Sequence, residues 1–394
     1  MAPSGMPPSG MPPSEVPPPG LAAPRLVRID LFAADLPLAE PFRHASSGHI
    51  DTLNELVLRL ESDDGCVGWG EMRANNHYVT GDSPGSLAAL LRELMLPRLL
   101  GQDATSPRRI ADLTEGFVVG NPTAKALIDI ALHDLVARRH GVPATMLLGG
   151  ARHERVHCHA TLPYCPAEEA AERTRTYLSM GFDTIKLRLG MRPFQLDVDR
   201  VAAVRAVLDA HDGPAVLAAD VNQGWDSKTA IRCLRALREA NFAWIEQPVP
   251  ANDHAGLRDI RRAIDIPLIA DESCGTPADL LRLLDADAVD GFHFKLCKAG
   301  GMGALMRMVA IAESAGRPYL IGQMDEGMLA TAAAVQCGLC ANALSYELWG
   351  YQRVAAQPFT GLTLEAGHML APRSPGLGVA VDEAALRLLF RLNG

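Results

Sequence analysis

The chain has 394 residues, enough for two domains, with 48% hydrophobic and 21% charged residues, an ordinary globular balance. Its net charge of −9 argues against nucleic acid or an anionic membrane as a partner, and no run of about 18 apolar residues is present to span a bilayer. Eight scattered cysteines form no paired framework, which fits reduced, cytoplasmic conditions.

Residues 1–24 are a degenerate five-residue repeat, Met-Pro-Pro-Ser-Gly and variants of it. The segment has too little apolar surface to fold and its prolines favour extended chain, so a disordered Pro-rich tail is expected. It lacks the basic start and apolar centre of a signal peptide. Residues 25–150 change character. Leu26-Val-Arg-Ile-Asp-Leu-Phe reads as a strand. Glu55–Glu61 and Cys66–Glu71 flank Asp64-Gly65, a hairpin turn signal. Helical patterns follow at Leu87–Leu94 and Ala124–Val136. Strands followed by helices describe an α+β domain.

From Thr184 to Gly301 short apolar strands each end in charge: Thr184-Ile-Lys186-Leu-Arg188, Leu217-Ala-Ala-Asp220-Val-Asn222, Ala243-Trp-Ile-Glu246-Gln-Pro248, Leu268-Ile-Ala-Asp271-Glu272-Ser273 and Phe292-His-Phe-Lys295-Leu-Cys-Lys298. Helical patterns separate them. The recurrence is near the roughly 31 residues per unit of a (β/α)8 barrel, whose chemistry sits at the C-terminal strand ends. Side chains two apart share a face, so Asp220, Glu246, Asp271 and Lys295 converge on one mouth. Three carboxylates there call for a cation, and oxygen-only ligands suit Mg²⁺. A seventh strand is expected at Pro318–Gly322, followed by Asp325 and Glu326, and an eighth near Leu344–Gly350. Cys337-Gly-Leu-Cys340 lies in an apolar helical run, where buried thiols are expected. Glu383–Phe390 reads as a final helix.

The motifs Asp220-Val-Asn222-Gln-Gly-Trp225, Trp244-Ile-Glu246-Gln-Pro248, Ile269-Ala-Asp271-Glu-Ser273 and Lys295-Leu-Cys-Lys298-Ala-Gly-Gly301 together resemble the enolase superfamily, in its mandelate racemase and muconate lactonizing branch. The second- and sixth-strand lysines resemble the muconate lactonizing subgroup. The resemblance implies a modified (β/α)7β TIM-like barrel over 151–360, capped by the 25–150 domain, with 361–394 returning to that domain. It implies Asp220, Glu246 and Asp271 as ligands of Mg²⁺, or Mn²⁺ in its place, and Lys295 as an acid/base lysine. It implies a small carboxylate substrate and a homo-oligomer. Two capping loops would shape substrate choice, near His44 and His49 and near His77 and Tyr78. Asn222, Asp325, Glu326 and Trp349 are further candidates for substrate contact.

Removing a proton next to a carboxylate places a second negative charge on the substrate, so the reaction needs a metal-stabilised ene-diolate and a neutral base. Burial and neighbouring cations are expected to depress Lys295 into that role, while Lys298 pairs with an acid such as Glu272. The family pattern on the second strand is Lys-x-Lys; this chain has Lys186-Leu-Arg188. Arginine holds its proton too tightly to shuttle it. One-base elimination or isomerisation by a dehydratase or cycloisomerase follows. Racemisation or epimerisation returns if Lys186 takes the second base role. A non-catalytic acid-binding barrel is the reading from another class. The Asp-x-Asp of the family's dipeptide epimerases has no match in Glu347-Leu-Trp349, which argues against that kind of substrate. A chain starting at Arg25 should keep the melting temperature and metal affinity of the full chain; a large drop in either would mean that the Pro-rich segment docks on the folded domains.

Overall fold

The computed structural model describes residues 23–43 and 46–394. The expected tail, apart from Ala23 and Pro24, and the candidate His44 lie outside the described residues. Three antiparallel strands open the chain: β1 (Leu26–Phe42), β2 (Ile50–Ser62) and β3 (Val67–Arg73). The Asp64-Gly65 turn joins β2 to β3, with Gly65 at φ +82°, where a side chain would be strained. Helices α1 (Pro84–Leu90), α2 (Leu96–Leu99), α3 (Pro107–Phe117) and α4 (Pro122–Arg139) follow. Ser83 and Ser106 cap α1 and α3 through their side chains, each with proline in the first turn.

Helix α4 is buried on nearly every side because it lies between the sheet and the rest of the protein. Gly68 and Gly70 on β3 allow this close approach. A Cβ at Gly68 would stand 2.3 Å from Ala131 O, and one at Gly70 2.5 Å from Leu127 O.

A short outlying strand, β4 (Arg155–His157), precedes the first barrel strand, β5 (Ala160–Leu162). Strand β4 pairs outside the barrel, with β15 of the C-terminal segment (His368–Leu370). Strand and helix then alternate through α5 (Ala167–Ser179), β6 (Thr184–Arg188), α6 (Gln195–Asp209), β7 (Val216–Asp220), α7 (Ser227–Ala236) and β8 (Ile245–Glu246). Next come α8 (His254–Ala263), β9 (Leu268–Ala270), α9 (Pro277–Asp285), β10 (Gly291–Lys295), α10 (Leu296–Ala299) and α11 (Met302–Ser314). The series ends with β11 (Tyr319–Gly322), α12 (Met328–Cys340) and β12 (Ser345–Glu347). The strands run parallel in the order β5 to β12, and the His159 amide donates to Tyr346 O at 2.9 Å to bring the two ends together. This is the expected (β/α)7β barrel, and Cys337 and Cys340 are buried on α12 as the sequence suggested.

The C-terminal segment adds β13 (Phe359–Thr360), β14 (Leu364–Glu365), β15 (His368–Leu370), β16 (Ala380–Val381) and β17 (Arg387–Asn393). Strand β15 pairs with β4, and β17 pairs with β1 as the edge of the N-terminal sheet. The expected final helix is instead a 3₁₀ turn, Glu383–Ala385, followed by β17. Register with β1 overrides the leucine spacing: Arg391 stands opposite Asp30 and grips both its oxygens, at 2.6 and 3.1 Å.

Inside the barrel the alternation of side chains builds two layers. Ala218, Trp244, Ile269 and Leu320 form a small apolar cluster of their own. Two residues further along their strands come Asp220, Glu246, Asp271 and Gly322, with Lys295 and Glu347 in register beside Gly322. The apolar layer thus forms a floor under the charges.

Gly68→Ala should lower the chemical-denaturation midpoint by an amount equivalent to about 1–3 kcal/mol, the usual cost of overpacking against backbone. An unchanged midpoint would show that α4 can move off β3 freely.

Candidate active site

The mouth of the barrel is lined by Arg188, Asp220, Asn222, Asp271, Glu272, Lys295, Gln323, Met324, Asp325 and Glu347, with Phe42, Tyr78 and Val79 leaning in from the capping domain. The cavity they enclose is only about 30 Å³. That is well below the roughly 300 Å³ at which pockets for drug-sized ligands start. A far larger groove, about 970 Å³, lies outside the barrel between α5 and α6 and holds none of these groups.

The carboxylates are brought level by strand register: Arg188 faces Asp220 across β6 and β7, and Asp220 faces Glu246 across β7 and β8. All three acids are buried, at 3% exposure for Asp220, 0% for Glu246 and 2% for Asp271. Asn222, with φ +46°, turns back on Asp220: its amide and its Nδ2 each donate to one Asp220 oxygen at 2.8 Å. Asn tolerates this left-handed backbone better than most residues. Gln247, at φ +34°, braces the neighbouring loop by accepting from the Asp271 amide at 3.0 Å and the Ser273 amide at 3.1 Å.

Lysines interleave with the acids. Lys186 lies below the mouth, not on its wall, and donates to Glu246 Oε2 and Glu347 Oε2 at 3.0 Å each. Lys295 donates to Asp271 Oδ2 at 2.7 Å. Lys298 bonds Asp271 and the His293 carbonyl rather than Glu272, correcting the expected pairing, because Asp271 Oδ1 points toward it. His293 does not touch Lys295; its Nδ1 lies 2.7 Å from Glu246 Oε1.

These contacts set the ionisation. Burial pushes Glu246 up, but Lys186 and His293 outweigh it and hold the carboxyl low. Asp271 is likewise held well below the usual range, against burial, by Lys295 and Lys298. Asp220 goes the other way, raised by burial and by Glu246. The expected depression of Lys295 is not found. Burial favours its neutral form, yet Asp271, Glu347 and Glu246 raise it well above the ordinary lysine value.

The donor set suits a divalent cation. Glu246, Asp271 and His293 offer ligand atoms within 4.8 Å of one another. Asp220 is adjacent in register, though both its oxygens are occupied by Asn222. Asn222 Oδ1 and Glu272 Oε2 are buried without a partner. Arg188 crosses the mouth from the side opposite Lys295. The Arg200 guanidinium donates to its carbonyl at 2.7 Å. Its own guanidinium sits 5.4 Å from the centre of the Phe42 ring, leaving Nε and Nη1 buried and unpartnered.

The sequence matches the description "Mandelate racemase / muconate lactonizing enzyme, N-terminal domain" over residues 28–149 and "Enolase C-terminal domain-like" over residues 168–385. The chain belongs to the mandelate racemase/muconate lactonizing enzyme family of the enolase superfamily, and it is an enzyme of that group. It is 31% identical to the N-succinyl-L-Arg/Lys racemase of Bacillus cereus over 92% of this chain and 96% of the relative. The solved structure of that racemase aligns with a TM-score of 0.88, covering 93% of this chain and 99% of the other at 30% identity. The muconate lactonizing enzyme of Pseudomonas fluorescens, solved with muconolactone, aligns at TM-score 0.87 and 30% identity over 92% of this chain and 98% of the other. The dipeptide epimerase of Cytophaga hutchinsonii, solved with Mg and D-Ala-L-Val, aligns at TM-score 0.87 and 27% identity over 94% of this chain and 100% of the other.

Among the other sequence candidates, Tyr78 and Asp325 line the mouth, and Asp325 is paired with Arg353 at 3.2 Å. Glu326 is buried away from it, against the capping sheet, and His49 is exposed outside the lining. Trp349 packs between Tyr177 and Phe182, with ring centres 5.3 and 5.2 Å away, on the outside of the lined space. The reading of the sequence passed over Phe42, Gln247, Gln323 and Glu347 as site groups. Of these, Glu347 alone carried a usable signal, an acid at the end of an apolar strand.

Lys186→Met should cost roughly 3–5 kcal/mol in urea unfolding at pH 7, since it leaves buried Glu246 and half-buried Glu347 without their shared lysine. Carboxyls held low in the folded state stabilise it above the unfolded value of about 4.5, and lose that contribution as pH falls through their folded values. The gap between wild type and variant should therefore shrink below pH 4.5. Equal stability at pH 7 would remove Lys186 from this role.

Proposed function

We propose that this enzyme removes the proton next to a carboxylate from one face of a small organic acid, with Lys295 as base, and completes an elimination or isomerisation, as a dehydratase or cycloisomerase does. The observation that carries this reading is Arg188. It occupies the second-strand position opposite Lys295, with two buried donors free to hold a substrate carboxylate or a developing oxyanion. It cannot take up a proton at neutral pH.

Asp220, Glu246 and Asp271 are the residues to hold Mg²⁺, or Mn²⁺ in its place. Their all-oxygen donor set on successive rigid strands supports this, and His293, one layer down beside Leu320, is already engaged by Glu246. When bound, the cation stabilises the ene-diolate and offsets the carboxylate charge that keeps Lys295 protonated. Lys186 keeps Glu246 and Glu347 ionised and stays below the mouth. Asn222 steadies Asp220, while Tyr78 and Asp325 face the substrate.

Likeness to a racemase and a dipeptide epimerase supports a second reading, two-base racemisation or epimerisation. It needs Lys186 to leave both its carboxylates and reach the mouth. The ligands in these relatives' solved structures, a dipeptide and muconolactone, support a substrate carrying a carboxylate.

A library of small acids incubated in D₂O with Mg²⁺ should yield substrates that take up deuterium or react, and Lys295→Ala should abolish this. Arg188→Lys should add slow exchange from the other face by supplying a titratable amine. Calorimetry should show Mg²⁺ binding lost or greatly weakened in Glu246→Ala. Full exchange by Lys295→Ala, or unchanged Mg²⁺ affinity in Glu246→Ala, would contradict the assignment.

A further inference from the structure

A second group of acids lies behind the wall of the mouth. Glu55 on β2 stands opposite Arg73 on β3, and Glu71 shares a face with Arg73 two residues away. Glu326, on the loop between β11 and α12, completes the group. Glu55 and Glu326 are 1% exposed, and Glu71 and Arg73 are fully buried. Both oxygens of Glu55, Glu71 Oε1, Glu326 Oε1 and Arg73 Nη2 have no partner that meets hydrogen-bond geometry.

The same residues fasten the capping sheet to the loop that builds the mouth. Arg73 Nη1 donates to Met324 O at 2.5 Å, and the Ala330 amide, in the first turn of α12, donates to Glu71 Oε2 at 2.9 Å. Gly327 makes room for this: a Cβ there would stand 2.0 Å from Glu71 Oε1. Gln323, Met324 and Asp325 of this loop line the mouth.

Three carboxylates against one guanidinium would leave two buried negative charges without a counterion. Interiors do not hold such charge; the groups take up protons instead. Among the described residues, a metal-holding arrangement of acids is found at Glu246, Asp271 and His293 and not here. We propose that Glu55, Glu71 and Glu326 share protons and form a latch: protonated, they hold the Gln323–Gly327 wall against the capping sheet, and loss of those protons to solvent releases it.

The charge environment agrees. Burial raises Glu71 to about 8 and Glu326 to about 7, and burial with Glu71 and Glu326 raises Glu55 well above the carboxylate range. The groups facing the cluster are Arg73 from β3, Lys295 from β10, Asp325 from the loop, Cys297 from α10 and Tyr78 from the capping domain. Arg73 and Lys295 pull the acids down; Cys297 and Tyr78 are raised by burial and stay neutral. Carboxyls raised in the closed state contribute closure that is complete below about 4.5 and lost as pH rises to about 8.

The latch is independent of the reaction at the mouth, and its test uses no substrate. Hydrogen exchange on the full chain between pH 5.5 and 8.5, corrected for intrinsic rates, should show opening at the Ala330 amide increasing with pH. The slope should approach tenfold per pH unit for each proton lost and level off above about pH 8. Amides of α8 should stay flat. Glu55→Gln, or Glu326→Gln if the first variant does not fold, should reduce the slope. A flat wild-type profile, a parallel rise in α8, or a variant slope equal to wild type would overturn the latch.

Discussion

Lys186 sits 3.0 Å from both Glu246 and Glu347, sealed under the barrel mouth. A carboxylate buried without a cation is costly, and several of them level with one another would repel as well. Here the acids and cations alternate in space: Lys186 between Glu246 and Glu347, Lys295 and Lys298 on Asp271, Arg188 beside Asp220. Glu246, Asp271 and Glu347 are thereby kept ionised, and Trp244, Ile269 and Leu320 pack beneath them. Under the proposed function, metal binding and proton transfer at the strand ends would both depend on this alternation.

It also separates the two lysines that resemble a pair of bases. Lys295 opens onto the cavity, while Lys186 is spent on carboxylates. Arg188, half-buried, takes the second-strand position that lines the mouth. The Phe42 ring lies against it and against Arg353, with guanidinium carbons 5.4 and 4.9 Å from the ring centre. The capping domain therefore reaches the chemistry through the residue that differs from the family pattern.

Much of this was legible in the sequence because barrel strands carry a strict period of two. That period, with a charged residue closing each apolar run, places Asp220, Glu246, Asp271 and Lys295 at strand ends. What the sequence hid depends on long-range register. Residues 383–390 look helical by leucine spacing, yet the Asp30–Arg391 pairing makes 387–393 an edge strand. Lys298 chose Asp271 over Glu272, and Lys295 is raised rather than lowered, because side-chain direction decides such contacts and spacing along the chain does not. The buried acids Glu55, Glu71 and Glu326 lie far apart in sequence and meet only when the capping sheet docks.

The central claim is that proton transfer occurs from the Lys295 face alone. It is tested most directly by incubating each enantiomer of a reactive acid with the wild-type enzyme in D₂O and following the α-proton by NMR. The account predicts that one enantiomer exchanges or reacts while the other keeps its proton. Interconversion of both enantiomers would contradict it and put a second base, Lys186, on the opposite face.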